Sequence, residues 1–139
     1  MIAGEERSCP SHARVLIVED NGVEAMLIER VVSDLRYEVL GPVATGEAAL
    51  ELARREKPDV VLMDVRLQGS MSGVDAAEAL REEQDCPLVF VTAYGDPEMS
   101  ARMRRIAGFA VLGKPISDRI VELTLRQVLG DRHFGSRWA

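Results

Sequence analysis

Four short, nearly unbroken apolar runs punctuate the chain at regular intervals: Val15–Val18, Val60–Met63, Leu88–Val91 and Phe109–Leu112. Continuous runs, as opposed to alternating ones, predict strands covered on both faces, as in a parallel sheet. Helical patterns lie between them. Val23, Leu27, Val31 and Leu35 recur every four residues, with Ile28 and Val32 widening the stripe. Ala48, Ala49, Leu52 and Ala53 predict a second helix, and Val74, Ala77 and Leu80 a third. A fourth is expected to start at Asp96-Pro97-Glu98, an N-cap followed by Pro at the first helical position, with Met99, Met103 and Ile106 on its apolar side. The last carries Ile116, Ile120, Leu123 and Val128 and is expected to end at Gly130.

One further strand breaks the pattern. The segment from Tyr37 to Ala44 reads as β, but Pro42 has no N–H for a ladder, which assigns it to a sheet edge. Five strand–helix repeats predict an α/β fold, a doubly wound five-stranded parallel sheet with right-handed crossovers. With strand 2 at the edge, the order 2-1-3-4-5 fits, a flavodoxin-like (βα)5 arrangement. Ligand chemistry then belongs at the carboxyl ends of strands 1 and 3, where the winding reverses. The expected organisation is a flexible N-terminal segment over 1–13, one domain over 14–130 and a C-terminal tail over 131–139.

Composition narrows this picture. A chain of 139 residues suits one domain, and 4% aromatic against 47% apolar means a core of aliphatic side chains. The net charge of −6 argues against nonspecific binding to nucleic acid or an anionic membrane. No apolar run reaches membrane-spanning length, and the first 13 residues carry Glu5, Glu6 and Arg7 in place of a signal peptide. Cys9 and Cys86 are too few for a disulfide scaffold, and His12 and His133 stand alone in the sequence, so neither a zinc site nor an oxidising compartment is expected. Cytoplasmic localisation is the expectation.

The strand ends supply the chemistry. Strand 1 runs into Glu19-Asp20, strand 3 into Asp64, strand 4 into Thr92 and strand 5 into Lys114-Pro115. Each has an ordinary structural explanation: an acidic N-cap, a solvated loop acid, a strand threonine, a surface lysine. Their placement at one edge of one sheet is what points to function. Three crowded carboxylates repel one another unless a cation neutralises them, and oxygen-only ligands suit Mg²⁺. A metal-bound carboxylate beside an ammonium and a hydroxyl is suited to attack a phosphoryl group, whose transferring oxygens those groups stabilise.

The segments VLIVED ending at Asp20, VVLMD ending at Asp64, VFVTA ending at Ala93 and GKP ending at Pro115 resemble the response-regulator receiver family of two-component signalling, and the resemblance runs from about Arg14 to Leu129. It implies that Glu19 and Asp20 hold Mg²⁺, directly or through water, that Asp64 is both metal ligand and phosphoacceptor, and that the Arg66 backbone carbonyl completes the protein ligands. Thr92 and Lys114 would contact the phosphoryl oxygens, and the peptide bond before Pro115 is expected to be cis.

Three positions depart from the usual pattern. The loop from Asp64 to Gly73 is one residue longer than the commonest form. Val111 stands where a switching aromatic is usual, and Tyr94 appears two residues after Thr92. Arg66 and Tyr94 are both large and are expected to screen attacking water. Tyr94 is also the candidate to replace the missing strand 5 switch.

The expected function is a stand-alone, CheY-like receiver, phosphorylated at Asp64 by a histidine kinase or histidine phosphotransfer protein. It would address a separate output protein through the helix 4–strand 5–helix 5 face, where Met99, Arg102, Met103 and Arg119 lie. No DNA-binding module is expected after Gly130, where only Phe134 and Trp138 add bulk. A monomer or weak homodimer is expected, and no enzyme beyond self-phosphorylation and self-dephosphorylation. A haloacid-dehalogenase-like phosphatase would carry a second Asp where Arg66 stands. A receiver fold without chemistry would lack residues that are all present here.

Overall fold

Side chains alternate along each central strand between the two faces of one sheet. In a computed structural model that describes residues 13–93, 97–106 and 108–133, β1 (Arg14–Val18) sends Leu16 and Val18 into one apolar cluster and Val15 and Ile17 into another. In β3 (Val60–Asp64), Val61 and Met63 part from Val60 and Leu62. In β4 (Leu88–Thr92), Leu88 and Phe90 part from Val89 and Val91. Both clusters are buried, which is why these strands read as unbroken apolar runs.

With β2 (Glu38–Val43) and β5 (Phe109–Gly113), the sheet has five strands in the order β2-β1-β3-β4-β5, every pair parallel. β2 is an edge, as Pro42 requires, and its register against β1 shifts between Leu16 and Val18. Gly41 there has φ +87°, and a Cβ would crowd the Val43 nitrogen and the Ile17 carbonyl. Only glycine adopts that backbone without strain.

Helices α1 (Gly22–Asp34) and α5 (Asp118–His133) cover the Val15/Ile17 face, through Ile28 and Val32 and through Val121, Leu125, Val128 and Leu129. Helices α2 (Gly46–Glu56), α3 (Gly73–Glu83) and α4 (Pro97–Met103) cover the other. Asn21, Thr45 and Ser72 cap the first three N-termini, each accepting a backbone N–H at the third helical residue.

The apolar stripes of α1 and α5 need correction. Val23 and Leu27 are 70% and 51% exposed, and α1 packs through Ala25, Ile28 and Val32, with Val31 and Leu35 half-buried. In α5, Ile120 and Leu123 are exposed while Val121 and Leu125 are buried. Both helices carry apolar residues on more than one face, so a spacing of four does not identify the buried one. Gly130 does not end α5, which continues to His133, three residues into the expected tail. A single helical glycine costs only about 1 kcal/mol relative to Ala, and nothing lies within 4 Å of a Cβ there. Residues 1–12, 94–96 and 134–139, which include Cys9, His12, Tyr94, the expected cap Asp96, Phe134 and Trp138, lie outside the described residues.

Candidate functional site

Parallel strands end together, so the residues that follow them share one edge. Asp64 closes β3 and is 5% exposed. Its Oδ1 accepts the Arg66 N–H at 3.1 Å. Glu19 follows β1 and is 3% exposed. Its N–H donates to the Val43 carbonyl at 2.9 Å, which fixes the β1 exit against β2. Its Oε2 accepts the Asn21 N–H at 3.1 Å, whereas Oε1 is buried with no hydrogen-bond partner.

Lys114 follows β5, anchored by its N–H to the Thr92 carbonyl at 2.8 Å, and the Lys114–Pro115 peptide bond is cis. Its Nζ lies 2.5 Å from Glu24 Oε1 and 3.4 Å from both Glu19 Oε1 and Asp64 Oδ2. Thr92 ends β4, and its hydroxyl donates to the Ala93 carbonyl at 2.8 Å. One ammonium thus faces three carboxylates.

Burial, followed by the neighbouring Asp64, pushes the Glu19 carboxyl up to about 8. Burial works against the Lys114 ammonium, but Glu24, and then Asp64 and Glu19, more than offset it and raise its pKa. Glu19, Glu24 and Asp64 each bring a carboxylate oxygen within 4.8 Å of the others. Asp20 stands outside that trio. Its Oδ2 accepts the Gln68 N–H at 2.9 Å and ties the β1 exit to the loop after β3. The donor set fits Mg²⁺: oxygen donors alone, among them the buried Glu19 Oε1, which accepts no hydrogen bond and has only the Lys114 ammonium 3.4 Å away.

Glu24 is the residue that sequence reasoning missed. Asn21 followed three residues later by Glu24 has the pattern of a capping box, in which the Glu would reach back to the Asn21 N–H. That N–H is taken by Glu19, so the Glu24 side chain turns to Lys114 instead.

Among the remaining expected residues, the Arg66 and Val111 side chains are exposed, Val111 at 47%. Arg102 pairs with Asp75 at 2.7 Å and Glu78 at 2.8 Å across the α3–α4 interface, with its side chain 31% exposed. Met103 is buried and Met99 packs against the core, whereas Arg119 is exposed. A cavity of about 450 Å³ opens beside Lys114, between α1 and the β4 and β5 exits, lined by Glu24, Leu27, Ile28, Val91, Pro115 and Ile116 among others. The exposed Val23 and Met26 stand near it on α1.

Comparison with known proteins finds relatives that cover most of the chain. The chain is 36% identical over 114 residues to the transcriptional regulatory protein PdtaR of Mycobacterium tuberculosis, covering 81% of this chain and 55% of that protein. It is 34% identical over 121 residues to the polar-differentiation response regulator DivK of Brucella ovis, covering 84% of this chain and 96% of that one. Among solved structures, the signal receiver domain of a modulated diguanylate cyclase from Desulfovibrio desulfuricans G20 superposes with a TM-score of 0.84 at 30% identity, over 90% of this chain and 99% of that one. Residues 15–126 match the family model for the response regulator receiver domain, and the chain belongs to that family.

Proposed function

We propose that Asp64 accepts a phosphoryl group from the phosphohistidine of a histidine kinase or histidine phosphotransfer protein, and that the modified surface changes partners. The carrying observation is the Asp64 carboxylate, buried at the β3 exit with the Lys114 ammonium 3.4 Å away and the orphaned Glu19 oxygen beside them. In the step, an Asp64 oxygen attacks phosphorus and the P–N bond breaks. The imidazole nitrogen keeps the bonding pair.

Glu19, Asp64 and the Arg66 carbonyl would hold Mg²⁺, with Asp20 acting through water. The bound ion would supply the positive charge that lets a phosphoryl group approach two buried carboxylates. Lys114 and the Thr92 hydroxyl would then donate to the phosphoryl oxygens, for which the Thr92 hydroxyl must leave the Ala93 carbonyl. Arg66 and Tyr94 are proposed to screen the acyl phosphate from water.

The chain covers 96% of DivK, which fits a receiver that addresses a separate protein. The chain spans only about half of PdtaR, which leaves a receiver working beside further segments as the competing arrangement. The test is acetyl phosphate with Mg²⁺, read as a Phos-tag mobility shift. Wild type should shift, and both EDTA and Asp64→Asn should abolish the shift. A shift that survives in Asp64→Asn would remove the assignment.

A further inference from the structure

Lys114 has one ammonium and three claimants, and the distances rank them. Glu24 Oε1 lies at 2.5 Å, while Glu19 and Asp64 stand at 3.4 Å. Glu24 also differs in setting, because its side chain is 42% exposed and those of Glu19 and Asp64 only 1% and 6%. The carboxylate that water still reaches takes the short contact, while the ammonium keeps a long hydrogen bond to Asp64 Oδ2 and a long ion pair to Glu19 Oε1, each at 3.4 Å.

Backbone position makes this possible. Glu24 is the third residue of α1, and its own N–H is capped by Asn21 Oδ1 at 3.0 Å. Its carboxylate is not needed at the helix start, since the Asn21 N–H already donates to Glu19.

We propose that Glu24 is a positioning residue that draws Lys114 toward α1 in the unphosphorylated site, so that the ammonium reaches Glu19 and Asp64 only at 3.4 Å and yields there to Mg²⁺, and that hands the ammonium over when a phosphoryl group reaches Asp64. This rests on the phosphoacceptor reading above. The consequence has two opposite signs. Without Glu24, Lys114 closes from 3.4 Å onto Asp64 and Glu19 and competes more strongly with the metal. Once the metal is bound, no resting-state partner holds Lys114 back, so the phosphoryl-like state gains. An interaction made in only one of two states shifts the balance between them by its own strength.

The test is Glu24→Gln, which keeps the side-chain size and removes the charge. Mg²⁺ affinity is measured by calorimetry without a phosphodonor, and beryllofluoride affinity by NMR titration at saturating Mg²⁺. Mg²⁺ should bind on the order of tenfold more weakly and beryllofluoride on the order of tenfold more tightly, as expected for a coupled pair in contact.

Loss of a negative charge alone would change both affinities in the same directions, so the deciding arm is the Lys114→Met background. There both effects of Glu24→Gln should vanish if Glu24 acts through Lys114. Effects of undiminished size in that background would make Glu24 a metal ligand or a bulk charge and overturn the proposal. Parallel weakening of both ligands in the single variant would do the same. Should Lys114→Met not fold, Glu24→Asp replaces that arm: a shortened but charged side chain that fails to restore any of the wild-type Mg²⁺ affinity overturns the proposal, and partial restoration supports it. If wild type itself binds neither Mg²⁺ nor beryllofluoride, it is the phosphoacceptor reading that fails.

Discussion

Gly73 sits so close to Asp64 that a Cβ on it would overlap the Asp64 carbonyl. The Gly73 N–H donates to the Val65 carbonyl at 2.9 Å, which closes the loop that leaves β3 and starts α3 beside the site. Gly73→Ala must push one backbone segment off the other, and overpacking of this kind costs about 1–3 kcal/mol or more. Denaturant melts should show that loss, and phosphorylation by acetyl phosphate should slow with it. A variant as stable as wild type would mean that the loop moves aside at no cost.

The Arg102 ion pairs change what substitutions on α4 should do. Its two partners lie on α3, and Asp75 also completes the capping box with Ser72. Arg102 holds the Asp75 carboxyl below its ordinary value of 3.8, with the Ser72 N–H assisting. A depressed carboxyl stabilises the fold above its unfolded value, and that stability is lost as pH falls through the folded one. Arg102→Ala should cost about 1 kcal/mol at neutral pH, since these half-exposed pairs are screened. The cost should shrink below pH 3.8. Equal destabilisation at both pH values would assign the effect to packing of the Arg stem.

Strand order and most strand positions were legible in the sequence because a central parallel strand buries both faces and admits little but aliphatic residues. Pro42 placed β2 at the edge for an equally local reason. The α1 and α5 faces were not legible, since Val23, Met26 and Leu27 are apolar yet exposed. Periodicity registers apolar residues and not what covers them. Asp64 and Thr92 end their strands and Glu19 and Lys114 directly follow theirs, so the topology brings them together. Glu24 lies in the first turn of α1, and its pairing with Lys114 depends on Glu19 having taken the Asn21 N–H, a three-dimensional contingency without a sequence signal of its own.

Those exposed apolar residues give a prediction about the donor. On the proposed function a protein donor brings its histidine to Asp64, and Val23, Met26 and Leu27 stand on the helix that borders the cavity. Val23→Lys with Leu27→Glu should slow phosphotransfer from the cognate protein by about tenfold, about 1.4 kcal/mol of barrier. The rate with acetyl phosphate should not change. If both rates fall together, the substitutions damage the site and not a docking surface.

Glu19 yields a pH dependence. Its folded value of about 8 exceeds the ordinary 4.5, so the native protein keeps a proton that the unfolded chain has released. Where the native state binds more protons, stability falls as pH rises. In EDTA, thermal stability should therefore decline between about pH 4.5 and 8. Glu19→Gln should flatten that slope, and Mg²⁺ should oppose it in wild type by binding the ionised form. A slope that Glu19→Gln leaves unchanged would place the titrating group elsewhere.

The central claim is that the phosphoryl group resides on Asp64. Borohydride reduction of the acetyl-phosphate-treated protein converts an aspartyl phosphate to homoserine, which peptide mass spectrometry locates. Homoserine at position 64, formed only when Mg²⁺ is present, is the predicted result. Homoserine at another position, or an intact phosphate on a hydroxyl, would contradict it.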